Sequence, residues 1–222
     1  MQRIGSFILV ACALTITLLI ARRELFPSGG GTGGGTEDVR IARTLTPAEW
    51  SAVASKGHFV GAERPIVTVV VFSDFECPAC RQFAMRSMPG ALAAFPNDLR
   101  IVLRHWPLEY HRFAYPSARA AECAAEQGRF KAFHDIVFQS QDSLGLLPFV
   151  NLALRAGVPD TSAFSTCSQS STRVLAIEDD LRAADDIGGG GTPTIIIQGS
   201  VLASPPDSGG FSRRIAELVA QR

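Results

Sequence analysis

The sequence carries no surplus of charge. Its 21 Lys and Arg are cancelled by 21 Asp and Glu, and no basic cluster breaks the balance. Nothing in it therefore suits a nucleic acid backbone or an electrostatic membrane patch. Internal repeats are absent, which excludes a repeat architecture. The glycine runs lack a following Lys-Ser/Thr and do not lie between a strand and a helix, which excludes a phosphate-binding loop. Zinc finds no four-ligand pattern either. There is one Cys-x-x-C, at Cys77 and Cys80, and His58, His105, His111 and His134 fall at no paired ligand spacing. With 46% apolar and only 19% charged residues among 222, the chain can bury one good core. One globular domain is expected, and its function must reside in a local site.

What is present begins with cysteine. Five Cys without a zinc pattern is a high count for a compartment that keeps thiols reduced, so an exported location is expected. The N-terminus agrees: residues 4–21 form an almost unbroken apolar run of about 18, the lower limit for crossing a bilayer, between Arg3 and Arg22-Arg23. A retained anchor, a cleaved signal and a lipoprotein box at Leu9-Val10-Ala11-Cys12 are the readings open to it. No small residues are well placed for cleavage and the run continues past Cys12 to Ile20, so the anchor is preferred. Residues 28–36, glycine-rich, have no side chains able to form a core and read as a flexible tether. The expected organisation is an N-terminal transmembrane anchor or signal at 1–24, a Gly-rich linker at 25–43 and a globular domain at 44–222. Arginines on both flanks of the apolar run leave its orientation open. The disulfide argument places the domain outside the cytoplasm.

The globular part is organised around Val67-Thr68-Val69-Val70-Val71-Phe72, a buried strand that leads through Asp74-Phe75-Glu76 into Cys77-Pro78-Ala79-Cys80. A helix start presents unpaired N–H groups and a partial positive charge, which favour a thiolate, and Pro78 suits the first helical position. Cys77 is expected at the exposed helix start with Cys80 one turn deeper on the same face, an arrangement that lets one sulfur attack and the other resolve. Upstream, Thr46-Pro47-Ala48-Glu49 reads as a capping box opening a helix that stops at Gly57. Downstream, Asp98 to His105 alternates as a second, parallel strand. About 80 helical residues then intervene before Thr192-Pro193, the strand Thr194-Ile195-Ile196-Ile197-Gln198, a short hairpin partner and a final helix bearing Phe211, Ile215, Leu218 and Val219.

This order resembles the DsbA-like branch of the thioredoxin superfamily. The matching segments are Phe72 to Cys80, Arg104-His105-Trp106-Pro107-Leu108, Ala118 to Ala124, and Gly191-Thr192-Pro193-Thr194. The resemblance implies an α/β thioredoxin fold, a central mixed sheet flanked by helices, with a helical insertion at about 107–187 between the second and third core strands. It implies Cys77 as nucleophile, Cys80 as resolving thiol, and Pro193 as a cis-proline that docks substrate together with Thr192, Pro78 and Ala79. It also implies a structural disulfide between Cys123 and Cys167, against the alternative of two buried thiols packed as hydrophobes.

The activity implied is thiol:disulfide exchange with cysteine-containing exported polypeptides. It needs no bound cofactor, no metal and no nucleic acid, but it does need a membrane redox partner, either a quinone-linked oxidase or a thiol donor. The expected location is the cell envelope, with the domain anchored through the N-terminal segment and facing the periplasm or exterior, or else secreted after cleavage. A reductase, an isomerase, and a redox-inactive binding module or chaperone for unfolded chains are the alternatives. Two departures bear on the strength of the couple. Val71 stands where many relatives have a buried acid, and Ala79 stands where strong oxidants have His. Asp74 and Glu76 are expected near the surface, where their charge would oppose thiolate formation. A less oxidising site than that of the strong oxidants follows.

Overall fold

The computed structural model describes residues 39–221. The apolar run at 4–21, and with it the anchor or signal, lies outside the described residues. No helix within them is long and apolar enough to cross a membrane.

The domain opens on an edge strand, β1 (Ile41–Thr44), and a helix, α1 (Pro47–Ala54). The capping box is present: the Thr46 hydroxyl accepts from the Glu49 N–H, and the Glu49 carboxylate accepts from the Thr46 N–H at 2.7 Å. After β2 (His58–Gly61) and β3 (Val67–Ser73) comes a helical rod of α2 (Pro78–Gln82), a π-turn over Phe83–Ser87, and α3 (Met88–Ala94). The rod passes through Pro89-Gly90 rather than ending there. Pro89 removes an N–H from the ladder, and the wider π-turn lies immediately before it, where the mismatch must be absorbed.

β4 (Leu99–His105) follows, then the insertion: α4 (Ala114–Ala125), α5 (Phe130–Gln139), a 3-10 turn at Gln141–Ser143, α6 (Phe149–Arg155), α7 (Thr161–Ser168) and α8 (Leu175–Asp186). The chain returns to the sheet as β5 (Thr194–Ile197) and β6 (Ser200–Leu202), and finishes on α9 (Ser208–Ala220).

The strands lie in the order β1-β6-β5-β3-β4-β2. β3 and β4 are parallel; the other neighbours are antiparallel. The mixed sheet flanked by helices, with its helical insertion after the parallel pair, is the architecture expected. β1 and β2 were not expected. Each is four residues long, β1 is exposed throughout and β2 is only half-buried, so their composition hardly marks them and pairing with β6 and β4 makes them strands.

Strand alternation builds two cores. Val67, Val69 and Val71 of β3, with Leu99, Ile101 and Leu103 of β4, face α3, α9 and most of the insertion, whereas Val70, Phe72 and Val102 face Leu45, Val53, Ala184 and Ile187. Thus α1 and α8 cover one face of the sheet, and the cysteine helix lies on the other.

Two covalent or ionic ties fasten the insertion. Cys123 on α4 and Cys167 on α7 are disulfide-bonded across a separation of 44 residues, a closure worth about 4 kcal/mol in the chain-entropy account. Asp180 on α8 accepts from Arg104 Nε at 2.6 Å and from the His105 N–H at 2.7 Å, with both charged side chains almost wholly buried. A buried arginine cannot shed its charge, so removing its partner leaves an uncompensated ion. Asp180→Ala should lower the unfolding free energy in a urea titration by about 3–5 kcal/mol, and adding Arg104→Met should restore most of that loss.

Candidate functional site

The register of β5 against β3 assembles the site. Phe72 lies opposite Thr194, so the residues leaving β3 toward Cys77 run beside those entering β5 from Thr192-Pro193. The Thr192-Pro193 peptide is cis, and the Cys77 thiol donates to the Thr192 carbonyl over 3.3 Å. Cys77 and Pro193, more than a hundred residues apart in sequence, are thus brought to one point.

Cys77 occupies the N-cap of α2 with extended backbone and Pro78 in the first turn. Its thiol is drawn down to about 5, first by the hydrogen bond from the Cys80 S–H, against the opposing effect of burial, then by the Thr192 hydroxyl and the backbone N–H groups of Cys80 and Ala79. Cys80 is pushed up by burial and by its bond to Cys77. The Asp74 N–H reaches its sulfur at 3.5 Å. One proton therefore stays on the deeper sulfur and points at the outer one. The Thr192 hydroxyl is buried with no hydrogen-bond partner among the described residues. It is free to turn to the thiolate once Cys77 has lost the proton it gave to the Thr192 carbonyl.

Two expectations need correction. Cys77 is only 7% exposed, against 1% for Cys80, so the outer sulfur lies under the cis-proline loop rather than at an open helix start. Asp74 is not near the surface. It is 1% exposed, accepts the N–H groups of Glu76 at 2.7 Å and Leu108 at 2.9 Å, and meets His111 Nδ1 at 2.8 Å. Glu76 accepts from the Phe113 N–H at 2.6 Å. Both carboxylates are engaged by the loop between β4 and α4, and neither is among the leading causes of the Cys77 shift, which runs in the direction expected of a helix start. Val71 is buried in the core at 2% exposure.

Arg81 does not approach the thiolate as a partner either; it pairs with Asp142 at 2.9 Å. Gln141, which the sequence reading missed, holds the approach to the helix: its Nε2 donates to the Phe75 carbonyl at 2.8 Å and to the Cys77 carbonyl at 2.9 Å. No local pattern marks a glutamine for this task. Gly189 is also required, because a Cβ there would lie 2.5 Å from the Trp106 ring. Open hollows flank the cysteine helix. One of about 520 Å³ is lined by Ala79, Gly191, Thr192 and Pro193, the other, of about 700 Å³, by Pro78, Arg81, Met85 and Gln141.

Residues 54–217 match the family model described as Thioredoxin. The chain belongs to the thioredoxin family. Among curated relatives, a segment of the Na(+)/H(+) antiporter NhaA 1 of Mycolicibacterium gilvum is 33% identical over 162 residues, covering 72% of this chain and 26% of that one. The chain therefore spans about a quarter of that relative's length. A thioredoxin-like oxidoreductase from Silicibacter pomeroyi superposes with a TM-score of 0.64 at 24% identity, over 78% of this chain and 98% of that one. The alpha-DsbA1 of Wolbachia pipientis gives 0.61 at 20% identity, over 73% and 90%. The shared architecture is that of the DsbA-like members of the thioredoxin superfamily, as the sequence motifs implied.

A cysteine held below its ordinary value stabilises the reduced fold fully above the unfolded-chain value of about 8.5 and loses that contribution as pH falls through its folded value. In the reduced chain, alkylation of Cys77 by iodoacetamide should accordingly rise with a midpoint at about 5 and level off above it. Thr192→Val should move the midpoint upward, with the site of labelling read by peptide mass.

Proposed function

We propose that this chain is an exported thiol:disulfide oxidoreductase that exchanges disulfides with cysteines of secreted or envelope proteins through Cys77 and Cys80. The observation that carries this reading is the split pair: a low-lying Cys77 thiol against Thr192-Pro193, with Cys80 kept protonated behind it.

In the oxidising direction, a substrate thiolate attacks the Cys77 sulfur of the Cys77–Cys80 disulfide. That bond breaks, and the Cys80 sulfur takes up a proton. A second substrate thiolate then attacks the substrate sulfur of the mixed disulfide and expels Cys77 as a thiolate. Two electrons pass from the substrate dithiol to the protein dithiol. The donors around Cys77 act twice, since they make it a good leaving group and stabilise the reduced product. The hollows on either side of Pro78 and Ala79, with the Thr192 backbone between them, suit an extended polypeptide lying across the pair. Cys77 needs no bound cofactor for this chemistry; turnover requires a membrane partner, a quinone-linked oxidase or a thiol donor.

An envelope location fits the Cys123–Cys167 disulfide, which belongs in an oxidising compartment. A relative named for an antiporter accords with a domain held at a membrane. The domain would stand outside the cytoplasm on its tether if residues 1–24 are a retained anchor, or be released if they are a cleaved signal.

Thioredoxin, with a nucleophile near 7, and DsbA, near 3.5, have potentials of about −270 and −120 mV. A Cys77 value of about 5 lies between them. Equilibration with glutathione should give an intermediate potential; a value as high as that of DsbA would overturn the expectation. Cys80→Ala, with Cys77 first converted to its mixed disulfide with glutathione, should, as glutathione leaves as its thiolate, form a lasting mixed disulfide with a reduced, unfolded test protein. Cys77→Ser should abolish its oxidation, whereas a binding module or chaperone would keep its full effect.

A further inference from the structure

A second cluster of chemically active side chains lies outside the dithiol. β2 pairs with β4 so that His58 is opposite Leu103, which puts His105, two residues beyond Leu103, on the same face of the sheet. Glu122 reaches in from α4. Its Oε1 meets His58 Nε2 at 2.6 Å and His105 Nε2 at 2.7 Å. Ligand atoms from three different elements thus lie within 4.8 Å of one another.

Two imidazole nitrogens and one carboxylate oxygen are the donor set of zinc sites that keep a fourth position for water. The surroundings are those of a built pocket. The side chains of His58, His105 and Glu122 are 24%, 4% and 15% exposed, so the cluster is largely dry yet reachable past His58. Phe130 lies flat on the His58 ring, with centroids 3.4 Å apart, and meets the His105 ring edge-on. Packing therefore sets the ring orientations independently of the carboxylate. Burial pushes the Glu122 carboxyl up, but the hydrogen bonds from His105 and His58 outweigh it and draw the group down to about 2.

The geometry points to a binding site for one divalent cation of the zinc class, held by His58 Nε2, His105 Nε2 and a Glu122 carboxylate oxygen, with water completing the sphere. Tetrahedral bonds of about 2.0–2.1 Å need ligand atoms about 3.3 Å apart. The contacts of the Glu122 oxygen with the two nitrogens, 2.6 and 2.7 Å, lengthen to that value when an ion enters between them. Such an ion would join β2, β4 and α4 at one point and clamp the helical insertion to the sheet beside the Cys123 disulfide. Where sequence spacing showed no paired histidines, strand pairing supplies them.

The test uses the full-length chain with Cys77 and Cys80 oxidised to the disulfide, so that the dithiol cannot take the metal. Calorimetric titration with Zn²⁺ should show one equivalent per chain, and saturating Zn²⁺ should raise the melting temperature. Co²⁺ should give the visible bands of a four-coordinate site. His58→Ala, at the most exposed of the three, should fold as judged by circular dichroism and bind at least tenfold more weakly, and Glu122→Gln should do the same. Absence of stoichiometric uptake would overturn the proposal. Undiminished affinity in folded His58→Ala would also overturn it, as would uptake abolished instead by His111→Ala.

Discussion

A thiolate half-enclosed by apolar side chains survives only if donors surround it, and the bond from the Cys80 S–H to the Cys77 sulfur is the largest of those donations. Much of the architecture serves to hold that pair in place. Strand β3 delivers Cys77 to the start of a helix, where N–H groups are unspent. Strand β5, in register with β3, delivers the Thr192 hydroxyl from the other side. Burial stabilises neither charge by itself, and the two sulfurs part in acidity because donors outweigh it at the outer one while the deeper burial of the inner one outweighs its donors. Asymmetry of surroundings, rather than any difference between the residues, assigns their roles.

The helical insertion belongs to this site as well as to the fold. Gln141 reaches from its 3-10 turn to two carbonyls that flank Glu76. The segment between β4 and α4 supplies the N–H groups that occupy Asp74 and Glu76. Those contacts satisfy two carboxylates that stand immediately before the cysteine helix. The insertion is in turn fixed to the sheet through Asp180 and Arg104 and within itself through Cys123 and Cys167. An error in docking it would therefore be felt at the reacting sulfur.

Legibility from sequence followed the range of the forces involved. The core strands β3, β4 and β5, the capping box at Thr46 and the helix start at Pro78 rest on local pattern, and all could be read. β1 and β2 could not, because four weakly apolar residues become a strand only when a neighbour supplies hydrogen bonds. Asp74 was placed wrongly for a related reason. Its position before the helix suggested solvent, but tertiary contacts supplied donors at a buried site, and a carboxylate with two N–H partners has little need of water. Gln141 left no trace in the sequence at all, since its partners lie more than sixty residues away.

By itself the sequence determined the chemistry on offer: two sulfurs at a helix start, a Thr-Pro before a strand, and apolar runs enough for one core. These follow from residue type and short spacing, which act before any folding is complete. Only the tertiary structure decided which sulfur carries the charge, how deeply both are covered, and that His58, His105 and Glu122 share one point. Each of those depends on burial and on distances across strand registers, and neither exists until the sheet has closed.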